Sequence, residues 1–314
     1  MNILVIGAGP IGSLYAAKLQ EAGNDVAILA RGRRSLAMNE HGIILEDGAS
    51  GRRSTTRVRV IEVLEPSDPY DLVMVIMAGH HIPAILPHLA ANNLTPNILF
   101  MFNNVAGSAM MVDALGPERV LLGFPGAAGY QTENVLRYVI VSRREQPTTV
   151  GEMDGRITPR LKSIEAALEE AGFPAAVSSN MNAWLKTHAA EIVPTAGALY
   201  MEDCRLSRLA ASGHALDLTI RAIRENYRIL RAGGTPITPG NHSVFGWLPV
   251  SLLRRIIRKQ LSNELAELKI GHARSATREM KLLADELRKL AEGKCATPAM
   301  NELYAHIVEA AADS

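Results

Sequence analysis

An α/β fold, with a parallel-sheet domain at the N-terminal end and an all-α domain at the C-terminal end, is predicted by three features of the chain. Residues 3–6, Ile-Leu-Val-Ile, form a short apolar run that ends in Gly7-Ala8-Gly9-Pro10-Ile11-Gly12, ahead of a helix pattern through Gly23. A second apolar run, Val26 to Leu29, follows at once, so strand, helix and strand alternate as in a sheet buried on both faces. Beyond about residue 180 the strand patterns stop, and helices punctuated by Gly233-Gly234-Thr235-Pro236, Thr238-Pro239-Gly240-Asn241 and Thr297-Pro298 take over.

Taken in order, further buried strands are expected at Leu72 to Met77, Ile98 to Phe102 and Val120 to Gly123, with helices near His81 to Ala91 and Gly107 to Leu115 between them. The more polar segment from Gly42 to Val63 reads as a small hairpin excursion, and Arg137 to Val150 as another sheet addition. A helix from Pro159 to Ala171 and a strand at Ala175 to Val177 close the first domain. The expected domains are therefore residues 1–180 and 181–314.

A length of 314 residues with 47% hydrophobic content gives material for two cores. The net charge of +1 supplies no field to gather a polyanion, and with 4% aromatic residues stacking platforms are scarce, so no nucleic-acid partner is expected. Cys204 and Cys295 lie far apart without a CxxC companion or a His at ligand spacing, so neither a disulfide framework nor a metal site is expected and a cytoplasmic location fits. The run Asn2 to Gly9 is too short for a signal core or a membrane span. One segment, Phe245 to Lys259, alternates basic and apolar residues as interfacial helices do; it reads as a core-facing helix or a subunit contact, and no membrane partner is expected.

The glycine motif carries chemistry because of its context. Gly7 would make the tight turn after the strand, Gly9 would let a pyrophosphate approach the backbone, and Gly12 would let the helix pack closely on the strand. The helix start then offers free N–H groups and a positive dipole end to the phosphates. This is the fingerprint of a Rossmann-type dinucleotide site. The second strand ends in Ala30-Arg31-Gly32-Arg33-Arg34, with no carboxylate to meet a ribose 2′-hydroxyl, whereas a guanidinium there can hold a 2′-phosphate. NADP is the expected cofactor, with Arg31 on its phosphate; a solvated basic loop is the alternative.

The opening NILVIGAGPIGSLYAAKLQEAGNDVAILARG resembles the ketopantoate reductase (2-dehydropantoate 2-reductase) family. The likeness continues at Asn103-Asn104, where the family places an Asn after its fourth strand, and at Trp184-Leu185-Lys186, similar to the Trp-x-Lys that opens its C-terminal domain. Gly234 to Pro239 and Ala296-Thr297-Pro298 resemble family turns as well. The resemblance implies NADPH-dependent reduction of a 2-keto acid to a 2-hydroxy acid, with 2-dehydropantoate as the named substrate and pantothenate biosynthesis as the setting. It implies Lys186 as the cation that meets charge growing on the carbonyl oxygen, and Asn103 as the amide that keeps cofactor and substrate in register. The expected cofactor-binding set is Gly7, Gly9, Pro10, Ile11, Gly12, Arg31, Asn103 and Ala128. A surface lysine and a helix cap are the ordinary alternatives for Lys186 and Asn103.

The chain departs from the family at several positions. Ala190 and Val193 stand where asparagines are typical, and Ala78, followed by Gly79-His80-His81, replaces a lysine. In a late helix the family's Thr-Glu pair aligns with Thr277-Arg278, with Ala266 near a serine's place. Arg278 becomes a candidate for a substrate anion; a shift of one residue puts Glu279 in the family position instead. His188 and Glu191, three residues apart on one helix face, are candidates to line the cleft, and His80 or His81 to donate a proton. Two alternatives stay open: a same-fold reductase for another keto or imino acid, and a non-catalytic NADPH-binding sensor. The partners expected are a small 2-keto acid and, as an open assembly, a second copy in a homodimer.

Overall fold

The computed structural model describes residues 1–263, 265–274 and 276–312. The chain divides into two compact units, residues 1–102 with 107–181 and residues 103–106 with 182–314.

The first unit contains β1 (Asn2–Ile6), α1 (Pro10–Glu21), β2 (Asp25–Leu29), α2 (Arg33–His41), β3 (Ile43–Asp47), β4 (Arg53–Thr56), β5 (Arg59–Ile61), β6 (Leu72–Val75), α3 (Ile82–Ala91) and β7 (Ile98–Met101). It continues with α4 (Ala109–Leu115), β8 (Val120–Phe124), β9 (Ala127–Thr132), β10 (Val135–Ile140), β11 (Thr148–Glu152), α5 (Pro159–Glu170) and β12 (Ala175–Val177). An eight-stranded sheet runs β12-β11-β8-β7-β6-β1-β2-β5. From β8 to β5 all neighbours are parallel, and β11 joins β8 antiparallel. Strands β1, β6 and β7 are continuous apolar runs, fully buried from Ile3 to Ile6, Leu72 to Val75 and Ile98 to Met101, because helices cover both faces. The strand order reverses between β1 and β6, and the glycine turn leaves the carboxyl end of β1 at that point, the place where open α/β sheets bind ligands.

The expected hairpin at 42–63 is β3 paired antiparallel with β4, while β5 departs to extend the main sheet beside β2. The expected addition at 137–150 splits into β10 and β11, which lie in different sheets. Strand β10 joins β9 and the β3–β4 hairpin in a four-stranded sheet, β4-β3-β10-β9, that lies against α1.

The second unit is helical among its described residues: α6 (Met181–Met201), α7 (Leu206–Ala211), α8 (Gly213–Ala232), α9 (Val250–Leu261), α10 (Ala266–Ile270), α11 (Thr277–Ala291) and α12 (Pro298–Ala312). Its core gathers Ala189, Val193, Leu199, Leu216, Ile220, Leu283 and Leu303, and Val105 of the 103–106 segment inserts among them. Buried Glu225 of α8 accepts the N–H groups of Ala299 and Met300 at 3.1 and 2.8 Å, satisfying two donors that the start of α12 leaves open. Helix α9 buries Leu253, Ile257 and Leu261 and leaves Leu252 and Ile256 exposed. Among the described residues no helix is long and apolar enough to cross a membrane.

Candidate functional site

The three motif glycines are there for different reasons. Gly7 has φ +118°, and a Cβ on it would lie 2.0 Å from the Ile76 carbonyl oxygen; one on Gly12 would lie 1.8 Å from the Gly7 carbonyl oxygen. Both are imposed by the close approach of β1, β6 and α1. Gly9 has an ordinary extended backbone, φ −74°, and a Cβ there would meet nothing within 4 Å. The fold therefore does not require a glycine at 9, and the open space beside it fits a group arriving from outside. Pro10 occupies the first position of α1 and has no N–H to offer, so its part is to preset the backbone. Ser13 N–H donates to the Gly9 carbonyl at 2.9 Å, which leaves the N–H groups of Ile11 and Gly12 open at the helix start.

The basic turn stands next to this loop. Arg31 is exposed and donates through Nε to the Glu62 carbonyl at 3.0 Å. Gly32, with φ +57°, then lets α2 begin at Arg33. Arg34, which sequence reasoning leaves without a role, is half-buried: its Nε donates to the Ala8 carbonyl at 3.0 Å and its Nη2 to Ser13 Oγ at 2.9 Å. Burial lowers its pKa from the usual guanidinium value. Ala128 is buried in β9, opposite Val139 of β10. The His80 and His81 rings lie 4.0 Å apart in the turn after β6, with His81 the more exposed.

In the helical unit, Asn103 and α11 come together. Asn103 Nδ2 donates to Glu279 Oε1 at 2.9 Å across 176 residues of sequence, while its Oδ1 is shielded and has no partner among the described residues. Two turns along the same face, Glu286 accepts the N–H groups of Val105 and Ala106; burial raises its pKa and these bonds oppose the rise. Glu279, rather than Arg278, is thus the residue that meets Asn103. Arg278 is exposed and makes no hydrogen bond or ion pair among the described residues.

Lys186 is half-buried on α6 and likewise has no partner among the described residues. His188 stacks on Trp184, ring centroids 5.3 Å apart at 16°. Glu191 does not stand free beside it: its Oε1 accepts from the Tyr227 hydroxyl and bonds His242 Nδ1 at 2.6 Å. Burial alone would lower the His242 pKa, but the hydrogen bond and the charge of Glu191 outweigh it and raise the value. Burial, reinforced by the same carboxylate, drives the Tyr227 phenol upward. Ala190 and Val193 are fully buried, so they offer a substrate neither an amide nor a surface.

Comparison with known proteins gives these features a context. Residues 3–155 match the family described as ketopantoate reductase PanE/ApbA. A 2-dehydropantoate 2-reductase of Mesorhizobium japonicum is 26% identical over 213 residues, 59% of this chain and 63% of that protein, so the chain spans under two thirds of this relative. The solved 2-dehydropantoate 2-reductase of Geobacter metallireducens superposes with a TM-score of 0.74 at 18% identity, covering 99% of this chain and all of the other. A D-mandelate dehydrogenase solved with NADH and anilino(oxo)acetate gives 0.76 at 15% identity, covering 100% and 99%. At these identities the two structures establish the shared fold.

Proposed function

Residues 3–155 match the ketopantoate reductase family, and we propose that the chain is an NADPH-dependent reductase of that family that turns a 2-keto acid into a 2-hydroxy acid in the cytoplasm. The observation that carries the reading is Lys186, a half-buried ammonium with no partner among the described residues. A cation withdrawn from water without a counter-group is unfavourable, and a substrate carboxylate or a developing alkoxide supplies what it lacks.

The dinucleotide fits the residues present. Gly9 leaves the approach to the backbone open, the N–H groups of Ile11 and Gly12 face an anion at a helix start, and exposed Arg31 retains both Nη groups for a 2′-phosphate. When bound, the reduced nicotinamide supplies the hydride. Lys186 Nζ donates a proton to the carbonyl oxygen as negative charge grows there. Glu279 holds the Asn103 amide in one orientation by accepting from its Nδ2. The free cysteines Cys204 and Cys295 suit a reducing compartment.

The substrate we favour first is 2-dehydropantoate. A second reading, another 2-keto acid, is favoured by the burial of Ala190 and Val193, which removes two amide contacts the family typically offers. The test is NADPH oxidation with a panel of 2-keto acids, followed by Lys186→Ala on the best of them. Loss of a donor that acts on transition-state charge costs about 3–4 kcal/mol, so the turnover number is expected to fall 10²–10³-fold with little change in NADPH affinity. Unchanged turnover would remove Lys186 from the chemistry, and turnover of no keto acid by the unmutated protein would favour an NADPH-binding sensor.

A further inference from the structure

We propose that Arg34 is a positioning residue of the nucleotide site, holding the Ala8–Gly9 peptide in the orientation that receives a pyrophosphate. The proposal rests on the dinucleotide reading above and concerns a residue outside the glycine motif. Three groups form a closed ring: Arg34 Nε to the Ala8 carbonyl at 3.0 Å, Arg34 Nη2 to Ser13 Oγ at 2.9 Å, and Ser13 Oγ to the same carbonyl at 3.3 Å. Ser13 is wholly buried, so the ring is anchored in the first turn of α1.

A trans peptide is rigid, with its C=O and N–H pointing in opposite directions. Drawing the Ala8 oxygen toward Arg34 therefore turns the Gly9 N–H away from α2 and fixes the direction in which it is offered. That matters because glycine backbones carry the most conformational freedom, and the turn has glycines at 7 and 9. Something outside the turn has to fix it, and Arg34 reaches in from the start of the next helix. Its location has no local advantage: a cation in the first turn of a helix opposes the dipole, and α2 carries no acidic residue there.

The two arginines then divide the work. Arg31 has its terminal nitrogens free for a 2′-phosphate, whereas Arg34 has committed donors to Ala8 and Ser13. Removing Arg34 should weaken any dinucleotide; removing Arg31 should weaken only the phosphorylated one.

The experiment is calorimetric titration of NADPH and NADH into the unmutated protein, Arg34→Ala, Arg34→Lys and Arg31→Ala. Arg34→Ala is expected to weaken both cofactors by a similar factor, about tenfold, and millimolar methylguanidinium to restore both. Arg34→Lys, which keeps the charge but can reach one acceptor at a time, is expected to lose less, and serves if the alanine variant does not fold. A loss confined to NADPH would make Arg34 a phosphate ligand and overturn the proposal, as would no loss at all. Failure of the unmutated protein to bind either cofactor would instead remove the dinucleotide reading, and this proposal with it.

Discussion

In the sheet unit, the groups proposed to receive the pyrophosphate are main-chain N–H donors, set out by glycines at 7, 9 and 12. In the helical unit the proposed groups are side chains, the bonded pair Asn103 and Glu279 and the separate Lys186. The first arrangement depends on the space one methyl group would take, carries no titrating atom in its donors, and is written in consecutive residues. The second depends on charge and amide orientation, and its parts are far apart in the chain. The two should therefore fail differently: a small change in the glycine turn should cost folding or binding outright, and a change in the helical set should shift rates and pH dependence while the fold stands.

The largest effect is expected within the glycine turn itself. Gly7→Ala and Gly12→Ala each force a Cβ into a backbone oxygen, at 2.0 and 1.8 Å. Overpacking of this kind costs about 3 kcal/mol, or roughly 6–12 °C in Tm for a domain of this size. Gly9→Ala should leave Tm unchanged and weaken dinucleotide binding, since its Cβ meets no protein atom within 4 Å. Thermal melts and titrations on the three variants separate these outcomes, and a Gly9→Ala protein that binds normally would break the contrast.

A middle effect is expected at α11. Glu279→Ala releases the Asn103 amide, and loss of a charge-assisted hydrogen bond of about 1.5–3 kcal/mol should lower kcat/KM roughly 10–100-fold. Arg278→Ala, in solvent one residue away, should stay within about threefold. Steady-state kinetics decide, and a reversed order would mean that Arg278 is the residue that meets the substrate.

The smallest effect sharpens the comparison through pH. Glu191 raises the pKa of His242, so the folded state binds that proton more tightly than the unfolded chain. The resulting stabilisation is fully present below the ordinary histidine value of about 6.5 and is lost as pH rises through the elevated folded value. The Tm difference between the unmutated protein and His242→Gln should therefore be greater at low pH than at high pH. A difference independent of pH would show that Glu191 does not hold a charged ring.

The same contrast explains what can be read from the sequence. The β1 turn is legible because its strand, glycines and helix are adjacent and each obeys a local rule. The helix α2 is not, since Arg33-Arg34-Ser35 has no apolar periodicity and the helix buries only Ser35 and Met38; with α2 unseen, the reach of Arg34 cannot be foreseen. Strand β9, Ala-Ala-Gly-Tyr-Gln-Thr, opens on three small residues that carry no strand signal and is stabilised by its pairing with β10. Whether residue 278 or 279 meets Asn103 turns on one position of helix phase, and no short-range pattern distinguishes neighbours on a helix whose partner is 176 residues away. The tie between Glu191, Tyr227 and His242 joins three separate segments and leaves no mark in any of them.

The stacked pair on α6 also has an optical consequence. The chain has two tryptophans: Trp184, 7% exposed and lying against the His188 ring, and Trp247, 69% exposed. An indole shielded from water emits at shorter wavelength than one in water. Colour thus separates the two emitters. The protein carries a built-in lamp two residues from Lys186.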